Sequence, residues 1–412
     1  VIKAILMMHH GAIPPLLHLE EPNPFLRIDQ MPVRIPTGLE PWSPLDKPRV
    51  AAVSSFGFGG TNAHLILKEA PASAQSHSRG IADRPWNLLT LSARSSGALN
   101  QLLQSYRDHL TTTEDNLANV AHTTNTGRTV FNHRLAFWAK DLPDMVSAMT
   151  NEGNRQKTAG VVNPSQPPRV ALLFTGQGSQ YARMGMGLYR THPVFGEAME
   201  RCDTILKPIL GRSIIDLIDN GGDELLAQTG FTQPALFALE YALSELWRSW
   251  GLVPVAVMGH CVGEFCAAVV AGVLSLEEAA GLIAHRAALM QALPKGGLMA
   301  AVMATEDWVT RQLADFPEIS IAAYNGPRNQ VISGPAAAMR DCLERFTQEG
   351  MIVKELNTSH AFHSGMMAPI MPSLTQYGSR LNPKQAVLPI ISNLTGKVAD
   401  VSTYADQQYW SR

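Results

Sequence analysis

At 412 residues the sequence is too long for one ordinary hydrophobic core, and two or three domains are expected. It is 45% hydrophobic and 17% charged, with a net charge of −2 and a pI near 6.7. That balance fits a soluble globular chain and offers no electrostatic case for nucleic acid or an anionic membrane. No apolar run approaches the roughly 20 residues that span a bilayer. The start, "VIKAILMMHHG", has no signal-peptide cleavage site and no leading Met, and it reads as a cut inside a longer polypeptide. The cysteines Cys202, Cys261, Cys266 and Cys342 lack CxxC spacing. They argue against a disulfide framework or a zinc site and fit a reducing cytosol.

Residues 1–71 combine a short helix, a Pro-rich extended stretch ("GAIPPLLHLEEPNPF") and "RVAAVSSFGFGGTNAHLILKEAP". In the last piece two apolar runs flank a Gly-rich turn, which predicts strand, loop, strand. The polar "ASAQSHSRGIADRP" reads as a surface connection. From Trp86 to about Asn163 the pattern predicts a small α/β unit, with "NLLTLSAR" as a strand and "SGALNQLLQSYRDHL" as an amphipathic helix. After them come "NLANVAHTTNTGR" as a helix, "HRLAFWAK" as a strand and "LPDMVSAMTNEG" as a helix. The histidines of this region, His77, His109, His122 and His133, are scattered and converge on no chemistry.

From residue 168 the pattern sharpens. "RVALLFTGQGSQ" is a buried strand running into a Gly-rich loop, and "TQPALFALEYALSELWRSWG" is a long amphipathic helix closed by glycine. "VPVAVMGHCVGEFCAAVVAGVLS" is a strand, a sharp turn and a helix. Residues 298–360 predict strand, helix, strand, strand, helix, strand, the split βαβ or ferredoxin-like order. This module interrupts the surrounding region, leaving 168–297 and 361–412 as one core.

Four stretches carry candidate chemistry. "GHCVGE" places Cys261 at the tip of a strand–helix turn, where backbone N–H groups stabilise a thiolate or an oxyanion. Side chains at Gly259 and Gly263 would strike the strand or the helix. The same pattern also describes a buried thiol, which is how Cys266 reads. "SHAFHSGMM" supplies His360 and His363, either of which is a candidate general base. Arg286 in "LIAHRAALM" is ordinarily a solvent-facing residue of an amphipathic helix; its functional reading is a guanidinium fork for a substrate carboxylate. "GQGSQ" brings Gln177 and small residues near the reaction centre, without the Lys of a phosphate-binding loop.

Together these pieces resemble the malonyl-CoA:acyl-carrier-protein transacylase family, in particular the acyltransferase domain of a modular polyketide synthase. The resemblance rests on "GQGSQ", on "GHCVGE" where the family usually has GHSxGE, on Arg286 and on "HAFHS". It implies an α/β-hydrolase-like core over 168–412 with an inserted ferredoxin-like subdomain. It further implies that residues 1–71 are the C-terminal end of a β-ketoacyl synthase, and that 72–167 are the α/β linker domain following it. By the same resemblance Cys261 is the nucleophile and His363 the base. Gln177 and the Val262 N–H form the oxyanion hole, and Arg286, His360 and Phe362 contact the substrate. His260 and Asn393 take supporting places. No tightly bound cofactor and no metal are implied. The reaction would be ping-pong: malonyl-CoA loads the nucleophile, CoA leaves, and the phosphopantetheine thiol of an acyl carrier protein collects the acyl group. "HAFH" and Val262 fit malonyl, because Phe362 fills the volume beside the α-carbon. The rest of a polyketide synthase module is the implied partner, and the cytoplasm the implied compartment.

Two departures bear on activity. Cysteine stands where the family usually has serine, and its longer bonds threaten the fit of the tetrahedral oxygen to its donors. The listing also stops at "YADQQYWSR", short of the family's usual extent, which reads as a truncation. Competing readings are a hydrolase or thioesterase, which would not need Arg286, and an inactive acyltransferase remnant serving as a scaffold.

Overall fold

A computed structural model describes residues 1–43, 47–70, 84–151, 153, 155–358 and 360–411. Compact units run over Val1–Ile81 and Ala82–Arg412. The connection containing His77 lies outside the described residues, and the division between the units falls within it.

The first unit has little core. Val50–Phe56 and Asn62–Lys68 pair antiparallel across the Gly-rich turn, as the sequence predicts. Ala4 is its only buried hydrophobic residue among those described.

In the second unit, alternation in "NLLTLSA" and "HRLAFWA" makes two central strands, Asn87–Ala93 and His133–Ala139, joined antiparallel. Helices Ser96–Thr112, Leu117–Thr126 and Leu142–Thr150 cover them, and Leu89, Phe137 and Met145 are buried between. A third strand, Lys157–Val161, adds to the sheet edge. The sequence reading missed it because "KTAGV" is a largely exposed edge strand with no apolar alternation.

The hydrolase-like core follows. Strand β1 (Ala171–Phe174) leads into the Gly-rich loop, and after helices at Met186–Thr191 and Pro193–Leu210 comes the long helix α1 (Thr229–Ser249). Strand β2 (Ala256–Gly259) turns sharply into α2 (Gly263–Val270), and α3 (Leu276–Gln291) begins in a capping box of Ser275 and Glu278. The inserted subdomain holds β3 (Gly297–Val302), α4 (Glu306–Leu313), β4 (Ser320–Gly326), β5 (Asn329–Pro335), α5 (Ala336–Gln348) and β6 (Val353–Glu355). Its sheet order is β4-β5-β3-β6, all antiparallel, which is the ferredoxin-like arrangement. The chain then returns through α6 (Met371–Gly378), β7 (Ile390–Ile391) and β8 (Val398–Ala399). The core sheet runs β8-β7-β2-β1, with β7, β2 and β1 parallel and β8 antiparallel at the edge. Helix α1 lies at the centre of the largest apolar cluster, buried on most of its sides by Phe195, Met199, Leu282 and their neighbours. No helix among the described residues is long and apolar enough to cross a membrane.

Candidate active site

The turn between β2 and α2 leaves no room for side chains on its flanks. A Cβ on Gly259 would lie 2.0 Å from the Glu264 nitrogen, and one on Gly263 would lie 2.5 Å from the Phe174 carbonyl oxygen of β1. The His260 N–H donates to that same Phe174 oxygen at 2.9 Å. Held on both sides, the tip residue Cys261 adopts φ 52°, a left-handed conformation that a non-glycine residue keeps only when its surroundings impose it. His363 is likewise left-handed, at φ 58°. The Gly-rich loop presses on the same turn, because a Cβ on Gly176 would lie 2.7 Å from His260 Nδ1 and 3.5 Å from Cys261 Cβ.

Cys261 and His363 are 102 residues apart in sequence, and their Sγ and Nε2 atoms are 3.1 Å apart. Arg286 Nη2 lies 3.8 Å from the same sulfur. Burial alone would raise the Cys261 pKa. The charges of His363 and Arg286, the His363 hydrogen bond and nearby His260 outweigh burial and bring the thiol down to about 5. Cys261 is therefore a thiolate at neutral pH, within hydrogen-bond reach of the His363 ring. The other thiols are the reverse case. Burial pushes Cys202 and Cys342 up to about 12 and Cys266 well above its ordinary value.

Arg286 is not solvent-facing; it is 8% exposed, packed with its guanidinium carbon 5.8 Å from the Phe265 ring centroid. Its Nη1 donates to Gln233 Oε1, whose Nε2 donates to Thr229 Oγ1 at 2.7 Å, and Thr229 Oγ1 donates to Gln177 Oε1 at 3.0 Å. This chain fixes the Gln177 amide with its oxygen on Thr229, leaving the NH2 as the end that donates. Gln233 and Thr229 were missed by the sequence reading. The available signal was polar residues at buried positions of an apolar helix.

The remaining predicted residues separate. Val262 caps α2 with its side chain in the core. Phe362 is buried and packs in one cluster with Met290, Met299 and Val331. His360 is buried and its Nε2 meets the Leu293 carbonyl at 3.0 Å. His260 Nε2 is 3.0 Å from Asn325 Oδ1, tying the turn to the inserted subdomain. Asn393 has an exposed side chain, and it is the backbone N–H that supports the turn, through Glu264 Oε1 at 3.2 Å. The same oxygen accepts from the Tyr404 and Tyr409 hydroxyls. His109, His122 and His133 lie on Ser96–Thr112, Leu117–Thr126 and His133–Ala139 of the preceding α/β region.

The acyl transferase domain family matches residues 171–412, a span that contains every element of this site. The chain belongs to that family. Residues 87–149 match the family described as "CurL-like, PKS C-terminal". The whole acyltransferase chain is 36% identical to the spectinabilin polyketide synthase system protein NorB of Streptomyces orinoci, of whose length it spans 19%. The acyl transferase domain of ZmaA superposes with a TM-score of 0.74 at 30% identity, covering 80% of this chain and 77% of that one. The malonyl CoA-acyl carrier protein transacylase of Coxiella burnetii superposes with a TM-score of 0.54 at 28% identity, covering 59% of this chain and 81% of that one. These likenesses make the fold an α/β-hydrolase-like core carrying a ferredoxin-like subdomain, as the sequence predicts.

Proposed function

We propose that this acyltransferase loads a malonyl group from malonyl-CoA onto Cys261 and passes it to the phosphopantetheine thiol of an acyl carrier protein. The observation that carries the reading is the Arg286 guanidinium 3.8 Å from the Cys261 sulfur. A buried cation beside a nucleophile selects an acyl group that brings its own anion, and malonyl does so through its free carboxylate.

The Cys261 thiolate attacks the thioester carbonyl, and negative charge builds on the carbonyl oxygen. The Val262 N–H and the Gln177 NH2 are the donors for that oxygen. The intermediate collapses, the carbon–sulfur bond to CoA breaks, and His363 hands the proton given up by the Cys261 thiol to the leaving thiolate. In the second half His363 takes the proton of the phosphopantetheine thiol, which attacks the acyl-Cys261 thioester and releases the Cys261 thiolate. Each half exchanges one thioester for another, so neither is strongly downhill. Phe362, fixed among methionines, restricts bulk at the acyl α-carbon. In this reading residues 1–71 are the end of a ketosynthase, 72–167 the linker domain, and the whole works inside a cytoplasmic polyketide synthase module.

The test is incubation with malonyl-CoA followed by intact mass, then transfer of radiolabelled malonyl to a holo carrier protein. A malonyl adduct on Cys261 that chases to the carrier is the expected result. Absence of both, in this chain and in Cys261→Ser, would favour the scaffold reading.

A further inference from the structure

Helix α1 passes through the most buried part of the chain, yet it carries Thr229, Gln233 and Glu240 inward. Positions 233 and 240 are seven apart, two helical turns, and so share a stripe. Thr229 and Gln233 serve Gln177 and Arg286. Glu240, at 6% exposure, has no part in the mechanism above.

Its contacts are unusual. Glu240 Oε1 accepts two hydrogen bonds from one residue, the Thr175 N–H and the Thr175 hydroxyl, each 2.6 Å long. Its Oε2 is buried and makes no hydrogen bond among the described residues. A buried carboxyl with one bare oxygen and no paired cation costs stability, and an apolar residue would fill the space more favourably. What it supplies is a fixed point. Thr175 is where β1 ends and "GQGSQ" begins, and its hydroxyl is also 2.8 Å from Ser179 Oγ, which donates to the Gly176 carbonyl at 3.1 Å. The next residue, Gly176, is the one that abuts Cys261. The loop is thus held at Thr175 by Glu240 and at Gln177 by Thr229, both from α1.

We infer that Glu240 is a positioning residue for acyl transfer, pinning the Gly-rich loop through Thr175 so that the oxyanion donors stay in place over Cys261. The inference rests on the function proposed above for the loop's catalytic role, while the pinning itself does not. Burial pushes the Glu240 carboxyl up to about 7 against the pull of the Thr175 bonds. The titratable group facing it from α2 is the Cys266 thiol, which stays protonated. Above about pH 7 the bonds to Thr175 are therefore charge-assisted, and they weaken as pH falls through that value.

The experiment compares the intact chain with Glu240→Gln, Thr175→Val and Gln177→Ala. At fixed pH, amide hydrogen exchange over residues 171–180 should speed up in Glu240→Gln while exchange in the inserted subdomain is unchanged. Malonyl loading of Cys261 should slow about tenfold with KM little altered, short of the roughly 10²–10³ that an absent oxyanion donor costs. The intact chain should show a rate limb near pH 7 that Glu240→Gln lacks. Thr175→Val, which keeps the N–H, should fall between. Adding Gln177→Ala to Glu240→Gln should cost less than the two separately. Unchanged exchange over 171–180, a limb near pH 7 that persists in Glu240→Gln, or strictly additive effects would overturn the inference. If the intact chain fails to load malonyl, the proposed function falls, and the exchange comparison still decides whether Glu240 pins the loop.

Discussion

A thiol brought down to about 5 is already ionised at neutral pH, so in the proposed reaction His363 is needed less to activate Cys261 than to deliver a proton to the leaving group. The Cys261 thiol, brought down to about 5, is ionised above that pH and neutral below it. Iodoacetamide alkylation of Cys261 should therefore reach half its plateau rate near pH 5. In His363→Gln the midpoint should climb toward the ordinary thiol value of about 8.5. Intact mass after short pulses at a series of pH values measures both, and the buried thiols Cys202, Cys266 and Cys342 should stay silent. Arg286→Ala gives a second prediction. Losing a charge-assisted bidentate contact costs about 2–3 kcal/mol, so malonyl loading should fall by roughly 30- to 150-fold while acetyl-CoA, lacking a carboxylate, is affected much less. The ratio of the two loading rates is the measurement. Equal losses for both substrates would mean that Arg286 serves the thiolate alone. At this scale Cys261, His363 and Arg286 were legible only through the family resemblance, since the residues by themselves left a buried thiol, a choice of two histidines and a solvent-facing cation open. Gln233, Thr229 and Glu264 were not. Their roles depend on which buried atoms they reach, and residue type alone does not state that.

Elements were legible wherever the apolar period was strong. The ferredoxin-like order came through because each of its strands and helices carries its own alternation or amphipathic face, as in "EDWVTRQL" and "NQVISGP". The edge strand Lys157–Val161 and the short pairings at Ile390–Ile391 and Val398–Ala399 carry too few residues to show a period. The sharpest element-scale constraint is the junction of β2 and α2. Gly259→Ala puts a methyl 2.0 Å from the Glu264 backbone nitrogen of α2, where no side chain is present to swing away. The turn must open, and Cys261 must move off His363. The expected outcome is a melting temperature lowered by several degrees, for a cost on the order of 3 kcal/mol or more, together with loss of the low alkylation midpoint. Gly178→Ala is the internal comparison. Its φ of +117° predicts local strain, yet its Cβ would meet nothing within 4 Å, so the dyad's alkylation midpoint should stay near its original value.

Across the whole chain, the core closes only when its last described residues return to the turn that carries the nucleophile. Tyr409 reaches Glu264 across 145 positions of sequence, and Trp410 lies against Phe265 with ring centroids 4.8 Å apart. Phe265 in turn backs the Arg286 guanidinium. Contacts of such separation leave no trace in local sequence patterns, and for that reason the sequence reading assigned this stretch nothing beyond a missing tail. The geometry makes the stretch a clamp on α2. Tyr409→Phe removes one donor from the buried Glu264 carboxyl and should cost about 1–3 kcal/mol. Trp410→Ala leaves a cavity beside Phe265 and should cost about 3–5 kcal/mol. Because both act on the first turn of α2, their effects should couple rather than add, by an amount on the order of 0.5–3 kcal/mol. Denaturant unfolding of the single and double variants measures that coupling. Strict additivity would mean that the two side chains stabilise separate parts of the core and that the elbow is held from the strand side alone.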